Sequence, residues 1–97
     1  MIDYQLGFSE EAKEDLDFFL ARERRIIVSQ VKKQLSSEPL KETRNRKRLR
    51  DNPLAPWELR IGRFRVFYKV KEQIVTVVAV GAKEHNQLFI RGKEVEL

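Results

Sequence analysis

The sequence predicts an α+β protein in which an N-terminal β-strand and a helical hairpin pack on a mostly antiparallel β-sheet. Three observations predict it: a short alternating run at the start, a long stretch of helical spacing, and three strand-like segments separated by tight turns. Ninety-seven residues suit one core and not two, so a single domain spanning 1–97 is expected.

The first strand is read at Ile2 to Leu6, where Ile2, Tyr4 and Leu6 alternate with polar residues and Gly7 ends the run. Ser9 offers a hydroxyl N-cap, and Glu10 and Glu11 place negative charge at the positive end of the helix dipole. Ala12, Leu16, Phe19 and Leu20, then Ile27, Val31 and Leu35, carry helical spacing to about Ser36, with Pro39 just beyond. One straight helix over that span would be about 42 Å long, while a domain of this size has a radius of gyration of about 13 Å. Compactness therefore demands a break, placed near Ala21 to Arg24, and the stripe Leu16, Phe19, Ile27, Val31 and Leu35 reads as packing.

Residues 39–56 read as a polar loop before the sheet, with three prolines and a dense basic run. From Arg44 to Arg50, five of seven residues are Lys or Arg. Strand-like segments follow at Trp57 to Ile61, Phe64 to Lys71 and Gln73 to Val80, and a short β-like patch lies at Gln87 to Arg91, where it would form a sheet edge open to an added strand.

Lys and Arg total 20 against 15 Asp and Glu, giving a formal net charge of +5, which favours a polyanionic partner. The absence of Cys excludes a disulfide framework and a cysteine-type zinc site. No basic leader precedes an apolar stretch, and no run of 18 apolar residues occurs. A soluble cytoplasmic protein with no membrane association is the expectation.

The stretch "RIGRFR" carries the sharpest functional signal. Gly62 at the first turn position favours a two-residue type II′ loop, which pairs Ile61 with Phe64, Leu59 with Val66 and Trp57 with Tyr68 on one apolar face. On the other face Arg60 then lies opposite Arg65, and Glu58 opposite Phe67. Like charges placed so are destabilising by up to ~1 kcal/mol, so their counter-charge is sought outside the chain. An internal alternative is an ion network with Glu58, Glu84, Glu94 or Glu96. If the next strand follows a two-residue turn at Glu72 and Gln73, Thr76, Val78 and Val80 lie beside Lys69, Phe67 and Arg65. That face would be an apolar floor rimmed by cations, suited to a nucleotide base and its phosphate.

The strings "TRNRKRLRDNPLAPWELRIGRFRVFYKV" and "VVAVGAKEHNQLFIRG" resemble the toxins of the RelE/ParE superfamily from bacterial type II toxin–antitoxin modules. The resemblance covers the whole chain and is most specific between Leu49 and Gly92. It implies a RelE-like fold neutralised by a cognate antitoxin, with operator DNA engaged only through the antitoxin complex. The RelE-like branch cleaves messenger RNA on the ribosome, and the ParE-like branch poisons DNA gyrase. The ending with Lys83 and Phe89 is more similar to the RelE-like branch. A metal-independent mRNA endonuclease without cofactors is therefore expected, with gyrase inhibition or a domain that only binds its antitoxin as the alternatives.

Such an enzyme needs a base for the 2′-hydroxyl, an acid for the leaving 5′-oxygen and fixed cations for the developing charge. The resemblance assigns Arg65, the arginine of the motif "RFRVFY", as phosphate clamp, with Arg60 and Lys83 as charge stabilisers. The family's best-known arrangement has a tyrosine where this chain has Phe89 and a lysine where it has Glu58. Other members use a glutamate and a histidine, which makes Glu58 and His85 the candidates for proton transfer. His85 can equally be a solvated loop residue. Arg44, Arg46, Lys47, Arg48 and Arg50 are expected to contact ribosomal RNA through phosphates, and Phe67 either stacks on a base or belongs to the core.

Overall fold

The computed structural model describes residues 3–96. Its elements are β1 (Gln5–Phe8), α1 (Glu10–Asp17), α2 (Ala21–Leu35), β2 (Arg46–Arg48), β3 (Trp57–Ile61), β4 (Phe64–Lys71), β5 (Ile74–Glu84), β6 (Gln87–Ile90) and β7 (Lys93–Val95). The sheet runs β2-β3-β4-β5-β6-β7 with every neighbour antiparallel, and β1 joins the outer side of β5 in parallel. The expected α+β architecture, with a helical hairpin on a mostly antiparallel sheet, is what forms.

The first strand lies later than its alternation suggested. Tyr4 donates its amide to Ser36 at the end of α2 instead of to the sheet, and pairing begins at Gln5 and runs through Gly7 to Phe8. Ile2, where the strand was expected to begin, lies outside the described residues. Gly7 is no breaker here, since Tyr4, Leu6 and Phe8 continue one alternation into the core.

Ser9 caps α1 as expected, accepting from the Ala12 amide at 3.1 Å. The break between the helices falls at residues 18–20, earlier than compactness alone placed it. Glu23 accepts from the Leu20 amide at 3.0 Å, and Arg24 donates to the Phe19 carbonyl at 2.6 Å, so side chains inside α2 define its start. Leu20, counted in the helical spacing, is instead the exposed N-cap of α2.

The helix-facing core joins Leu16, Ile27, Val31 and Leu35 to Trp57, Leu59, Val66, Tyr68, Val75, Val77 and Val80. Tyr68 is fully buried, stacks on Trp57 with ring centroids 6.0 Å apart and donates its hydroxyl to the Pro39 carbonyl at 2.6 Å. Burial pushes its phenol well above the usual range. Tyr68→Phe keeps the stacking and strands a carbonyl, and is expected to lower stability by about 1–2 kcal/mol in urea unfolding, with little change in the denaturant slope.

A β-bulge decides the second face. Lys69 pairs with Thr76 as expected, but the register shifts between Phe67 and Tyr68, leaving Val78 as the extra residue. Ala79 therefore lies beside Phe67 and Gly81 beside Arg65, in place of the expected Val78 and Val80; Val80 turns to the helices. On the far side, Ala55, Phe67, Ala79 and Leu88 form a small second core.

The bulge also exposes a backbone need that α1 meets. β1 pairs with residues 74–77 of β5 and β6 with residues 82–84, on the same side, leaving a gap between them. Ser9 donates to the Val78 carbonyl, and the buried Asp15 carboxylate accepts from the Val80 amide at 2.9 Å. Arg91 Nε lies 2.9 Å from the other Asp15 oxygen, an ionic contact off the hydrogen-bonding axis. Burial raises the Asp15 pKa above its ordinary 3.8, against the lowering effects of the Val80 amide and Arg91. A carboxyl with a raised native pKa holds its proton more tightly when folded. Its stabilising contribution is full below the unfolded value and is lost as pH rises through the native one. Asp15→Asn keeps the acceptor for Val80, so its stability is expected to gain on the wild type as pH rises above about 4. Asp15→Ala leaves the amide unsatisfied and is expected to lose about 1–3 kcal/mol at neutral pH. Paired urea melts from pH 4 to 7 check both.

Two further expectations are corrected. The basic run is not all loop: Arg46, Lys47 and Arg48 form β2, paired to Leu59, Glu58 and Trp57. The patch at Gln87 to Arg91, read as an open edge for an added strand, is covered on both sides by β5 and β7.

Candidate phosphate-binding face

Arg60 and Arg65 are cross-strand partners, as the hairpin turn predicted. Gly62 has φ +58 while Arg63 stays at negative φ, the combination a type II′ turn requires. Strand alternation puts Glu58 on the same face beside Arg60, and Lys47 opposite Glu58. Three cations and one carboxylate thus share a corner of the sheet.

Their environments differ. The Glu58 carboxylate is buried and receives Arg60 Nε at 3.0 Å, while the Arg60 side chain stays 40% exposed. Arg65 has no carboxylate within ion-pair distance among the described residues. Its Nη1 donates to the carbonyls of Gly62 at 2.7 Å and Phe64 at 2.9 Å, and its Nε is buried without a partner. Burial lowers the Arg65 pKa, Glu58 raises it and Arg60 lowers it. A half-buried guanidinium held by carbonyls and short of an anion is an arrangement that phosphate completes.

Gly81 pairs with this arginine at a point where β6 leaves no room for a side chain. A Cβ there would meet the Phe89 carbonyl oxygen at 2.5 Å and Ile90 Cγ1 at 2.8 Å, so β6 closes down on the glycine beside Arg65. Lys83 lies two residues further along β5 on the same face. Gly81 beside Arg65 and Lys47 opposite Glu58 were missed in the sequence, because both depend on registers that the bulge and β2 set.

Other expected site residues fall elsewhere. Phe67 is fully buried in the second core, so it offers no stacking surface. Arg46 is a strut: its guanidinium donates to the carbonyls of Gln34 and Lys41, which joins β2 to the end of α2. Arg44, Arg48 and Arg50 are exposed around the β2 edge and remain available to a phosphate backbone. His85 and Asn86 form the β5–β6 turn, with φ of +52 and +67. His85 lies six residues beyond Ala79 along β5, about 20 Å at ~3.3 Å per residue, so Glu58 and His85 are not brought together. Phe89 pairs with Ala82 and faces the helices, on the side of the sheet away from Arg65. Among the described residues, no three His, Asp or Glu side chains gather as metal ligands.

The family model described as ParE toxin of type II toxin–antitoxin system, parDE, matches residues 6–86. The chain belongs to this ParE toxin family. It is thus the toxin of a type II toxin–antitoxin system, and the match takes in β3 and β4, the strands that carry Arg60 and Arg65. Among solved structures, this ParE-family toxin is similar to the toxin–antitoxin complex RelBE2 from Mycobacterium tuberculosis. That likeness has a TM-score of 0.74 at 27% identity and covers 86% of this chain and 94% of that one. It also shares its fold with the RelE–RelB complex of Pyrococcus horikoshii OT3, with a TM-score of 0.66 at 16% identity over 88% of this chain and 99% of that one. No curated protein matches the chain.

Proposed function

We propose that this toxin is a ribosome-dependent mRNA endonuclease whose own cations, in place of a metal, stabilise the reacting phosphate. The single observation that carries the reading is Arg65, half-buried beside Gly81, tethered by two carbonyls and lacking an acid partner among the described residues. Arg65 clamps the scissile phosphate, and Arg60 and Lys83 take up charge as the phosphorane forms. When Arg60 swings onto phosphate it uncovers Glu58, the carboxylate within the cluster, which accepts the 2′-hydroxyl proton as the 2′-oxygen bonds to phosphorus; the P–O5′ bond breaks and the leaving 5′-oxygen takes a proton from water. Lys47, Arg48, Arg44 and Arg50 supply sequence-independent contacts to RNA.

The likeness to a RelBE2 complex supports this branch and supports a cognate antitoxin as partner. Acidic groups of that antitoxin would compete with RNA for the unpaired Arg65. A second reading, gyrase inhibition by binding alone, is favoured by the ParE name of the family and by the positions of His85 and Phe89, which leave Arg65 without a nearby proton donor.

Primer extension on an mRNA in a bacterial cell-free translation reaction, with and without ribosomes, tests the first reading. New 5′ ends inside translated codons that require ribosomes are expected. Intact mRNA together with loss of gyrase supercoiling activity would establish the second reading instead.

A further inference from the structure

If Arg60 turns to a phosphate, Glu58 loses its counter-charge. That carboxylate is 3% exposed, and its ion pair is with Arg60 Nε at 3.0 Å. A buried carboxylate left without a cation is strongly destabilised, and one that takes up a proton in response no longer serves as a base. The departure of Arg60 therefore requires a second cation at Glu58.

The strands on either side of Glu58 offer three. On β4, Phe67 lies directly opposite, with Arg65 and Lys69 at the two diagonals. Arg65 is held by the Gly62 and Phe64 carbonyls, and Lys69 stands at the diagonal away from Arg60. On β2, Lys47 is directly opposite Glu58, while Arg46 and Arg48 alternate to the other face. The loop between β2 and β3 carries Arg50 and Asp51 and packs Leu49, Leu54 and Ala55 against the Phe67 cluster. Directly opposite residues have Cβ atoms about 5 Å apart and diagonal ones about 7 Å, so Lys47 is the best placed of the three.

Lys47 is exposed and makes no ion pair among the described residues. Its flexible four-carbon stem lets the ammonium reach across to the carboxylate without backbone movement. The strand beneath it is fixed at both ends. The Asn45 carbonyl accepts from the Arg60 amide at 2.8 Å, the Leu49 amide donates to the Pro56 carbonyl at 2.8 Å, and Arg46 ties the strand to the end of α2.

We propose that Lys47 is a positioning residue: as Arg60 moves to the phosphate, the Lys47 ammonium takes its place at Glu58 and keeps the carboxylate charged and aimed as the base. Lys47 stays protonated throughout, and the proton taken from the 2′-hydroxyl resides on Glu58. The inference rests on the RNA-cleavage reading and gives Lys47 a role beyond contact with a phosphate backbone.

Two measurements test it. The first is a crystal structure of full-chain Arg60→Ala, in which Lys47 Nζ is expected within ion-pair distance of the Glu58 carboxylate. A Lys47 side chain still directed away from Glu58 would overturn the proposal. The second is single-turnover cleavage of an mRNA on bacterial ribosomes. Lys47→Gln is expected to lower the rate at saturation about tenfold or more, with the half-saturating toxin concentration changed less than about threefold, and Lys47→Arg to recover most of the rate. A saturating rate within about threefold of wild type in Lys47→Gln, or no recovery in Lys47→Arg, would overturn the proposal. A wild type that leaves ribosome-bound mRNA intact would overturn the cleavage reading itself, and the Arg60→Ala structure would still decide the exchange of partners at Glu58.

Discussion

Arg65→Ala is expected to abolish growth arrest while leaving the protein folded. The guanidinium is partly desolvated, lacks a carboxylate within ion-pair distance among the described residues and stands opposite another arginine, so the native state gains little from it. Its removal relieves a cross-strand repulsion of up to ~1 kcal/mol and forfeits two hydrogen bonds to carbonyls at the edge of the turn. Thermal unfolding should therefore shift by only a few degrees. Removing a preorganised charge from a reacting phosphate costs on the order of 100- to 1000-fold in rate, enough to release cells from inhibition at ordinary expression. Growth curves after induction, paired with circular dichroism of the purified variant, separate the two effects. Arg65→Lys restores charge without the planar fork and should recover only part of the toxicity.

Gly81→Ala is expected to destabilise the fold, since of the four glycines this one has the tightest surroundings for a side chain. The new Cβ would lie 2.5 Å from a backbone oxygen and 2.8 Å from Ile90, and neither is the free end of a long side chain. β6 has only four residues, and its contact with β5 is three register pairs long, so the strand must shift as a unit. Overpacking of this kind typically costs 1–3 kcal/mol, and loss of the Leu88 contact with the second core adds to it. Urea unfolding should show a lower midpoint. Hydrogen exchange should show the greatest loss of protection at Lys83 to Ile90, next to Arg65, so toxicity should fall together with stability. In Arg65→Ala, by contrast, toxicity falls alone.

The hairpin of β3 and β4 could be read residue by residue because a glycine fixed its turn and a strict alternation fixed its faces. The Ser9 cap and the Leu16 to Leu35 stripe were legible for the same reason: local chemistry specified them. What escaped the sequence depended on tertiary pairing. Val77, Val78, Ala79 and Val80 are apolar in succession, so alternation could not reveal which was the bulge, and every residue after it changed face. The run from Arg44 to Arg50 has the charge of a solvated loop, yet pairing with β3 makes part of it an edge strand blunted by Lys and Arg. The candidate site divides along the same line. Arg60 opposite Arg65 followed from the turn, whereas Gly81 beside Arg65, Phe67 within the second core and Phe89 on the other face required the whole sheet.

The most direct test of the central claim is to map mRNA 5′ ends in cells after induction of the wild-type toxin and of Arg65→Ala at equal protein levels. The account predicts cuts within translated codons for the wild type, absent when initiation is blocked and absent for the variant. Unchanged cuts in Arg65→Ala, or uncut mRNA in cells whose DNA gyrase has lost supercoiling activity, would contradict it.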